Sequence, residues 1–486
     1  MTVTTLRIAI VGAGPSGFFL AEKLLGQSDR PVAVDLYERL PTPYGLVRFG
    51  VAPDHEKIKN VTRTFDRTAG RPGFRFFGNV DVGPTIPLDE LRTHYHAVCF
   101  ATGAQTDRRM NIPGEDLLGS HPATEFVAWY NGHPEYRDLA FDLSVERVAV
   151  VGVGNVAVDV ARILSRTPEE LAKTDIAPHA LEALRQSQVR EIYLLGRRGP
   201  AQAAFTNPEV KELGELEGAD VACRPEEVAL DPLSAVALAQ EEDAATRKKL
   251  DILTDFAGRT RSGKGRCLTL RFLVSPTELT GDAQGRVTGI VLARNRLVEG
   301  KGGSLRPEAT GETETLPVGL VFRSVGYRGI EIPGLPFDER SGTVPNSAGR
   351  VTDGGNPIPG LYVAGWIKRG PSGVIGTNKP DAAETADSLL ADAGEGRLAE
   401  PVHPPEVIES LVRSRQPELV TWQDWERINR QETEAGKADG RPRTKLVTVE
   451  EMLAAAKRIL AGGAVDSALA ANSGRADGRP RPAHPA

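Results

Sequence analysis

Cysteine is nearly missing from this chain: Cys99, Cys223 and Cys267 are the only three in 486 residues. They lie far apart and no CxxC pair occurs, which argues against an iron–sulfur cluster, a structural zinc or a redox-active disulfide carried by the chain itself. No metal site is expected. So few thiols suit a reducing compartment. Long apolar runs are missing too: nowhere do eighteen apolar residues follow one another, so no membrane span is expected. The apolar N-terminal stretch is broken by Gly12, Gly14, Pro15 and Gly17 and has no basic flank, unlike a signal peptide. A soluble, cytoplasmic protein is the expectation. An excess of positive charge is also lacking. With 59 basic and 65 acidic residues the net charge is −6, which argues against a nucleic-acid binder. A local basic patch could still serve an acidic protein partner, because association responds to local fields.

What is present is ordinary globular composition, 40% hydrophobic and 26% charged, in a chain long enough for two or three domains. Residues 7–11 (RIAIV) form a short β-branched run that ends in Gly12-Ala13-Gly14-Pro15-Ser16-Gly17. An apolar helical stretch follows to about Leu25, then a second strand over 32–37 ending at Glu38. The same order recurs at 147–151 (RVAVV), followed by Gly152-Val153-Gly154-Asn155-Val156-Ala157, a helix containing Asp159 and Arg162, and a strand over 191–195 ending in Gly196-Arg197-Arg198. Two nucleotide-type units in one chain are far more informative than one.

Each unit has a physical reading. A pyrophosphate needs its charge met without bulk. Gly12 permits the tight turn, Gly14 lets the backbone approach the phosphates, and Gly17 allows close helix–strand packing. The helix starting near Ser16 aims its N-terminal N–H groups at the anion. Glu38 stands where a carboxylate accepts ribose hydroxyls. In the second unit Ala157 replaces the third glycine, and the return strand ends in two arginines with no acid. A glutamate there would repel a 2′-phosphate, whereas Arg197 and Arg198 can bind it bidentately. NADP is therefore expected over NAD.

Strand 96–100 enters Ala101-Thr102-Gly103, and similar strand-to-small-residue turns occur at 319–326 and 360–366. Such turns are expected where the chain passes a cofactor or leaves a domain. The partition this suggests is a discontinuous domain of residues 1–106 and 330–462, with residues 107–329 inserted as a second domain. Residues 220–260 carry charged runs and read as solvated helix or loop. Thr448-Val449-Glu450-Glu451 reads as a capping box opening a helix. Residues 463–486, rich in Gly, Ala, Arg and Pro, are expected to be disordered.

Four segments are more specific: 41–55 (PTPYGLVRFGVAPDH), 152–162 (GVGNVAVDVAR), 196–206 (GRRGPAQAAFT) and 364–380 (AGWIKRGPSGVIGTNKP). In these the chain resembles the adrenodoxin-reductase-like ferredoxin–NADP reductases, over about residues 5 to 460. The resemblance implies an α/β fold of two Rossmann-like dinucleotide-binding domains, the NADP domain inserted into a discontinuous FAD domain. It implies FAD and NADP as cofactors and a ferredoxin, a small acidic iron–sulfur protein, as electron acceptor. FAD contacts would fall on Ser16, Glu38, Leu46, Val82, Trp366, Gly373, Val374 and Ile375. NADP contacts would fall on Arg108, Asn155, Val156, Arg197, Arg198, Glu209 and Gly373, and a pair near the nicotinamide on His55 and Glu212. Without the resemblance, His55 reads as a loop histidine satisfied by backbone and Glu212 as the solvated face of a helix.

The implied activity is a ferredoxin–NADP(+) reductase, in which the cofactors carry the redox chemistry and the protein stacks and orients them. Residues 370–379 would clamp the flavin ring. Thr377 and Asn378 would cap the helix that follows, with Pro380 in its first turn. Arg247, Lys248, Lys249, Arg261, Lys264 and Arg266 are candidates for a basic docking surface, although charge runs are usually just solvated. Two alternatives stay open: another flavin reductase of the two-dinucleotide type, and a non-catalytic NADP-sensing flavoprotein.

Overall fold

A computed structural model describes residues 4–240 and 243–457; the tail expected over 463–486 lies outside them. Two parallel sheets organise the chain. The first has seven strands, ordered Asn346–Ser347, Arg350–Asp353, Asn356–Val363, Ala97–Phe100, Leu6–Val11, Val32–Glu38 and Phe74–Gly78. Its last five strands run parallel, and the first two add an antiparallel edge. The second has six strands, all parallel, ordered Ser120–Pro122, Leu320–Arg323, Arg147–Val151, Glu191–Leu195, Arg266–Arg271 and Ala219–Cys223. A three-stranded antiparallel meander, Val274–Gly281, Val287–Glu299 and Leu305–Leu316, extends this half.

Both sheets are wound alike. In each, the strand order reverses beside the strand that carries the glycine turn, and ligands of open α/β sheets bind at that switch. The reversal presses the turn against a neighbouring chain. A Cβ on Gly12 would stand 2.6 Å from the Ala101 carbonyl oxygen, and one on Gly152 would stand 2.2 Å from that of Ser324. Both positions also need positive φ (108° and 132°), so glycine is required twice over.

The predicted strands agree with the observed ones to within a few residues. Helices Pro15–Leu25 and Asn155–Ser165 pack their apolar faces on the sheets. Phe18, fully buried, stacks on Phe65 at 4.8 Å between ring centroids, so truncation to alanine should cost about 3–5 kcal/mol. Helix Asn378–Gly394 lies along Pro15–Leu25. The expected capping box is present: Thr448 Oγ1 accepts from the Glu451 N–H at 3.1 Å, and the Glu451 carboxylate accepts from the Thr448 N–H at 3.2 Å.

Residues 220–260, expected as solvated helix or loop, are largely helical as expected but not wholly solvated. They hold the edge strand Ala219–Cys223 and helices Pro225–Val228, Pro232–Gln240 and Ala244–Gly258. Leu253 and Phe256 are buried in the core of the inserted half, and Glu227 is buried in an ion pair with Arg271 at 2.8 Å. In helix Ala244–Gly258 the two buried residues, Leu253 and Phe256, are three apart and share a face, which the dense charge around them masks.

Among the described residues no helix is long and apolar enough to cross a membrane.

Candidate functional site

The first glycine turn is built to receive an anion. Gly14 caps helix Pro15–Leu25 without any side-chain hydrogen bond, so the first-turn N–H groups have no partner supplied by a capping side chain. A Cβ on Gly14 would meet only the Gly45 Cα, at 4.0 Å, which leaves the backbone open to approach. Gly17 has no such room: its Cβ would stand 2.1 Å from the Gly12 carbonyl oxygen. Glu38 closes the end of its strand, where its carboxylate accepts from the N–H groups of Ala13 at 3.0 Å and Leu40 at 3.2 Å. Burial pushes the Glu38 carboxyl up and these N–H bonds pull it back. The turn, the uncapped helix and the carboxylate fit a dinucleotide's pyrophosphate and ribose.

The second turn repeats the plan. Gly154 caps helix Asn155–Ser165 with no side-chain bond, and a Cβ there would meet nothing within 4 Å. Ala157 is fully buried where Gly17 stands in the first unit. Asn155 Oδ1 accepts from the Thr206 N–H at 2.9 Å, tying the turn to the loop after Gly199, and Val156 lies beside it half-buried. Arg197 is exposed and Arg198 half-buried at the strand end, and neither guanidinium meets a carboxylate among the described residues. Burial and the adjacent Arg197 charge both push Arg198 below its usual range. Two like charges held together without a counter-ion fit a phosphate.

The segment around 364–378 forms a third wall. Gly365, at φ 79°, would place a Cβ 2.1 Å from Ser16 Oγ, and the Ser16 hydroxyl donates to Asn378 Oδ1 at 3.0 Å. Trp366 is half-buried, its ring 5.6 Å from that of Tyr327, and its indole N–H donates to the Ser372 carbonyl at 3.2 Å. Gly373 has φ 80°, and a Cβ there would fall 2.3 Å from Thr377 Oγ1. Val374 is 53% exposed and Ile375 half-buried. The expected capping by Thr377 and Asn378 is corrected. Thr377 Oγ1 donates to the Val374 carbonyl, Asn378 Nδ2 donates to the Ile375 carbonyl, and no side chain caps Asn378–Gly394. Those polar atoms hold the loop in shape instead. Leu46, 40% exposed, opens the short helix Leu46–Phe49, and half-buried Val82 lies in a loop bridged to Ile86. Arg108 is exposed, beside the paired crossing strands Thr106–Asp107 and Tyr327–Arg328, and donates to the Ser341 carbonyl.

His55 and Glu212 meet across the two units. His55 Nε2 stands 2.8 Å from Glu212 Oε2 and 3.6 Å from Glu209 Oε2. Burial pulls His55 down, but the Glu212 bond and the Asp159 and Asp54 charges outweigh that and the opposing Arg162 charge, leaving it raised. Its hydrogen bond holds Glu212 below the carboxylate range. Glu209, assigned to NADP from the sequence, turns toward this cluster, and Arg162 Nη1 stands 3.3 Å from its Oε2. Ligand atoms of His55, Glu209 and Glu212 lie within 4.8 Å of one another. The positive charge placed among them is the Arg162 guanidinium. Sequence reasoning missed Asp54 and gave Arg162 no role, because their contact spans 108 positions.

The candidate docking residues are also partly corrected. Lys249 donates to the Ala203 carbonyl, Lys264 to that of Leu216, and Arg266 to those of Val189 and Arg166. These three support the inserted half.

Comparison with known proteins places this geometry. Residues 6–195 match the family model for pyridine nucleotide-disulphide oxidoreductases. The NADPH-ferredoxin reductase FprA of Mycobacterium tuberculosis is 48% identical over 92% of this chain and 98% of its own. The mitochondrial NADPH:adrenodoxin oxidoreductase of Bos taurus is 44% identical over 92% of each. The solved structure of M. tuberculosis FprA in complex with NADPH superposes with a TM-score of 0.88 at 47% identity, over 93% of this chain and all of that one. This chain belongs to the adrenodoxin-reductase-like family of ferredoxin–NADP reductases.

Proposed function

We propose that the chain is an FAD-dependent ferredoxin–NADP(+) reductase that takes hydride from NADPH and delivers electrons singly to a ferredoxin-type iron–sulfur protein. One observation carries this reading: two glycine-capped helix N-termini open at two sheet switch points, and the return strand of the second unit ends in an arginine pair that meets no carboxylate among the described residues. When bound, FAD supplies the centre that accepts an electron pair and releases it in single steps. The residues bind, orient and exclude water. Gly12, Gly14 and Gly17 admit the FAD pyrophosphate to the first helix, and Ser16 and Glu38 hold its polar groups. Leu46, Val82, Trp366, Val374 and Ile375 wall the flavin, with the Gly373 backbone passing close. Gly152, Gly154, Asn155, Val156 and Ala157 form the NADP turn, and Arg197 and Arg198 clamp the 2′-phosphate with Arg108 nearby. His55 and Glu212 orient the nicotinamide carboxamide, and Glu209 supports them.

A disulfide reductase is disfavoured by the thiols. Cys99, Cys223 and Cys267 are all buried and unpaired, which also suits a cytoplasmic setting. Domain boundaries at 106/107 and 329/330 are supported by the pairing of Thr106–Asp107 with Tyr327–Arg328, where the chain leaves and returns side by side. The partner is an acidic ferredoxin approaching exposed Lys248 and Arg261, with Arg247, which also donates to the Leu238 carbonyl, beside Lys248. The test is NADPH-driven cytochrome c reduction. A rate that requires added ferredoxin and falls with ionic strength is expected; a rate indifferent to ferredoxin would overturn the assignment.

A further inference from the structure

Arg162 is fully buried on helix Asn155–Ser165 and reaches across to the other unit. Its Nε and Nη2 fork onto Asp54 at 2.7 and 3.0 Å. Nη2 also meets Asp159 Oδ1 at 2.7 Å and His55 Nδ1 at 3.4 Å. Arg166, one turn along, adds a third bond to Asp54 at 2.7 Å. Asp54 directly precedes His55, so the fork fixes the backbone that carries the ring.

A guanidinium can only donate. Both Nη2 protons already serve Asp54 and Asp159, so in the neutral ring the His55 nitrogen that faces the guanidinium at 3.4 Å accepts a shared one, which leaves the ring proton on Nε2, facing Glu212. The competing acceptor on the Nδ1 side, Asp159 Oδ1, is 3.9 Å away, beyond hydrogen-bond reach. We propose that Arg162 is a positioning residue: its fork on Asp54 and its contact with Nδ1 hold His55 in the Nε2–H tautomer, aimed at Glu212. This deepens the reading of His55 and Glu212 as the nicotinamide pair and rests on it. The charged groups facing the ring are Asp54, Asp159, Arg162, Glu209 and Glu212. Arg162 opposes the imidazolium while Asp54 and Asp159 favour it, so opposite substitutions should move the titration in opposite directions.

The experiment is nitrogen-15 NMR of histidine-labelled, flavin-loaded protein, with the ring assigned through His55→Gln among eight histidines. Above its titration range, His55 should show a pyrrole-like Nε2 and a pyridine-like Nδ1. Arg162→Met should mix the tautomers and raise the midpoint by about one unit, and Asp54→Asn should lower it. If Arg162→Met does not yield flavin-loaded protein, Arg162→Lys keeps the charge without the fork. It should hold the midpoint near the parental value while slowing flavin reduction by NADPH about tenfold. An Nδ1–H tautomer in the parent, or midpoints that stay put or move together in the neutral variants, would overturn the proposal. Flavin bleaching of the parent by NADPH tests the underlying reading separately, because the NMR needs no turnover.

Discussion

At the scale of single residues, cofactor choice comes down to Arg198 and its neighbour. Burial already disfavours the Arg198 charge, and the Arg197 charge adds to that cost. A dianionic phosphate relieves both. Arg198→Ala should raise KM for NADPH by about tenfold to a hundredfold, the worth of one charge-assisted contact. It should leave NADH nearly unaffected, as steady-state kinetics with the two cofactors would show. These arginines were legible because they sit at a strand end whose place is fixed by nearby sequence. His55 and Glu212 were not legible from spacing. They lie 157 positions apart and meet only after two sheets have folded, so only family resemblance could pair them. Asp54–Arg162, and Lys59 with Asp175, had no signal for the same reason.

At the scale of elements, the two units differ by one methyl group on the helix beside the glycine turn, Gly17 in the first and Ala157 in the second. Gly17→Ala would force its Cβ against the Gly12 carbonyl oxygen at 2.1 Å. It should cost about 1–3 kcal/mol and lower flavin content. Ala157→Gly has no clash to cause and should cost only about 0.5–1 kcal/mol of helix stability. Flavin-to-protein absorbance ratios and melting temperatures would check both. Strands and glycine turns could be read from sequence because their β-branched runs and turn residues are local. Helix Ala244–Gly258 was read as solvated helix or loop, and its docking on the core was missed because two buried residues, Leu253 and Phe256, do the work of a whole apolar face. In the loop 370–379, expected to clamp the flavin, the capping was misread. Thr377 and Asn378 bond backward into the loop rather than forward into the helix, and the residue types permit either.

At the scale of the whole molecule, the C-terminal segment ties the halves together. Asp175, in the inserted half, is buried between Lys59 at 2.5 Å and Lys445 at 3.3 Å. Arg441 beside it donates to the Thr174 and Ile176 carbonyls. Burial would raise the Asp175 carboxyl, but the two ammonium groups more than offset this and lower it from 3.8 to about 2. A carboxylate lowered by folding contributes stability that is complete above its unfolded value and is lost as pH falls through its folded one. Acid melting should therefore steepen between about pH 4 and pH 2. Asp175→Asn should remove that step and cost about 3–5 kcal/mol at neutral pH, because two buried cations lose their counter-ion.

The central claim is that the two switch points hold different dinucleotides, FAD at the first and NADP at the second. Anaerobic titration of the purified protein, followed through its visible spectrum, tests it most directly. The account predicts a yellow protein whose flavin bands bleach with stoichiometric NADPH and far more slowly with NADH. A colourless protein that takes up no FAD, or equal bleaching by the two nicotinamides, would contradict it.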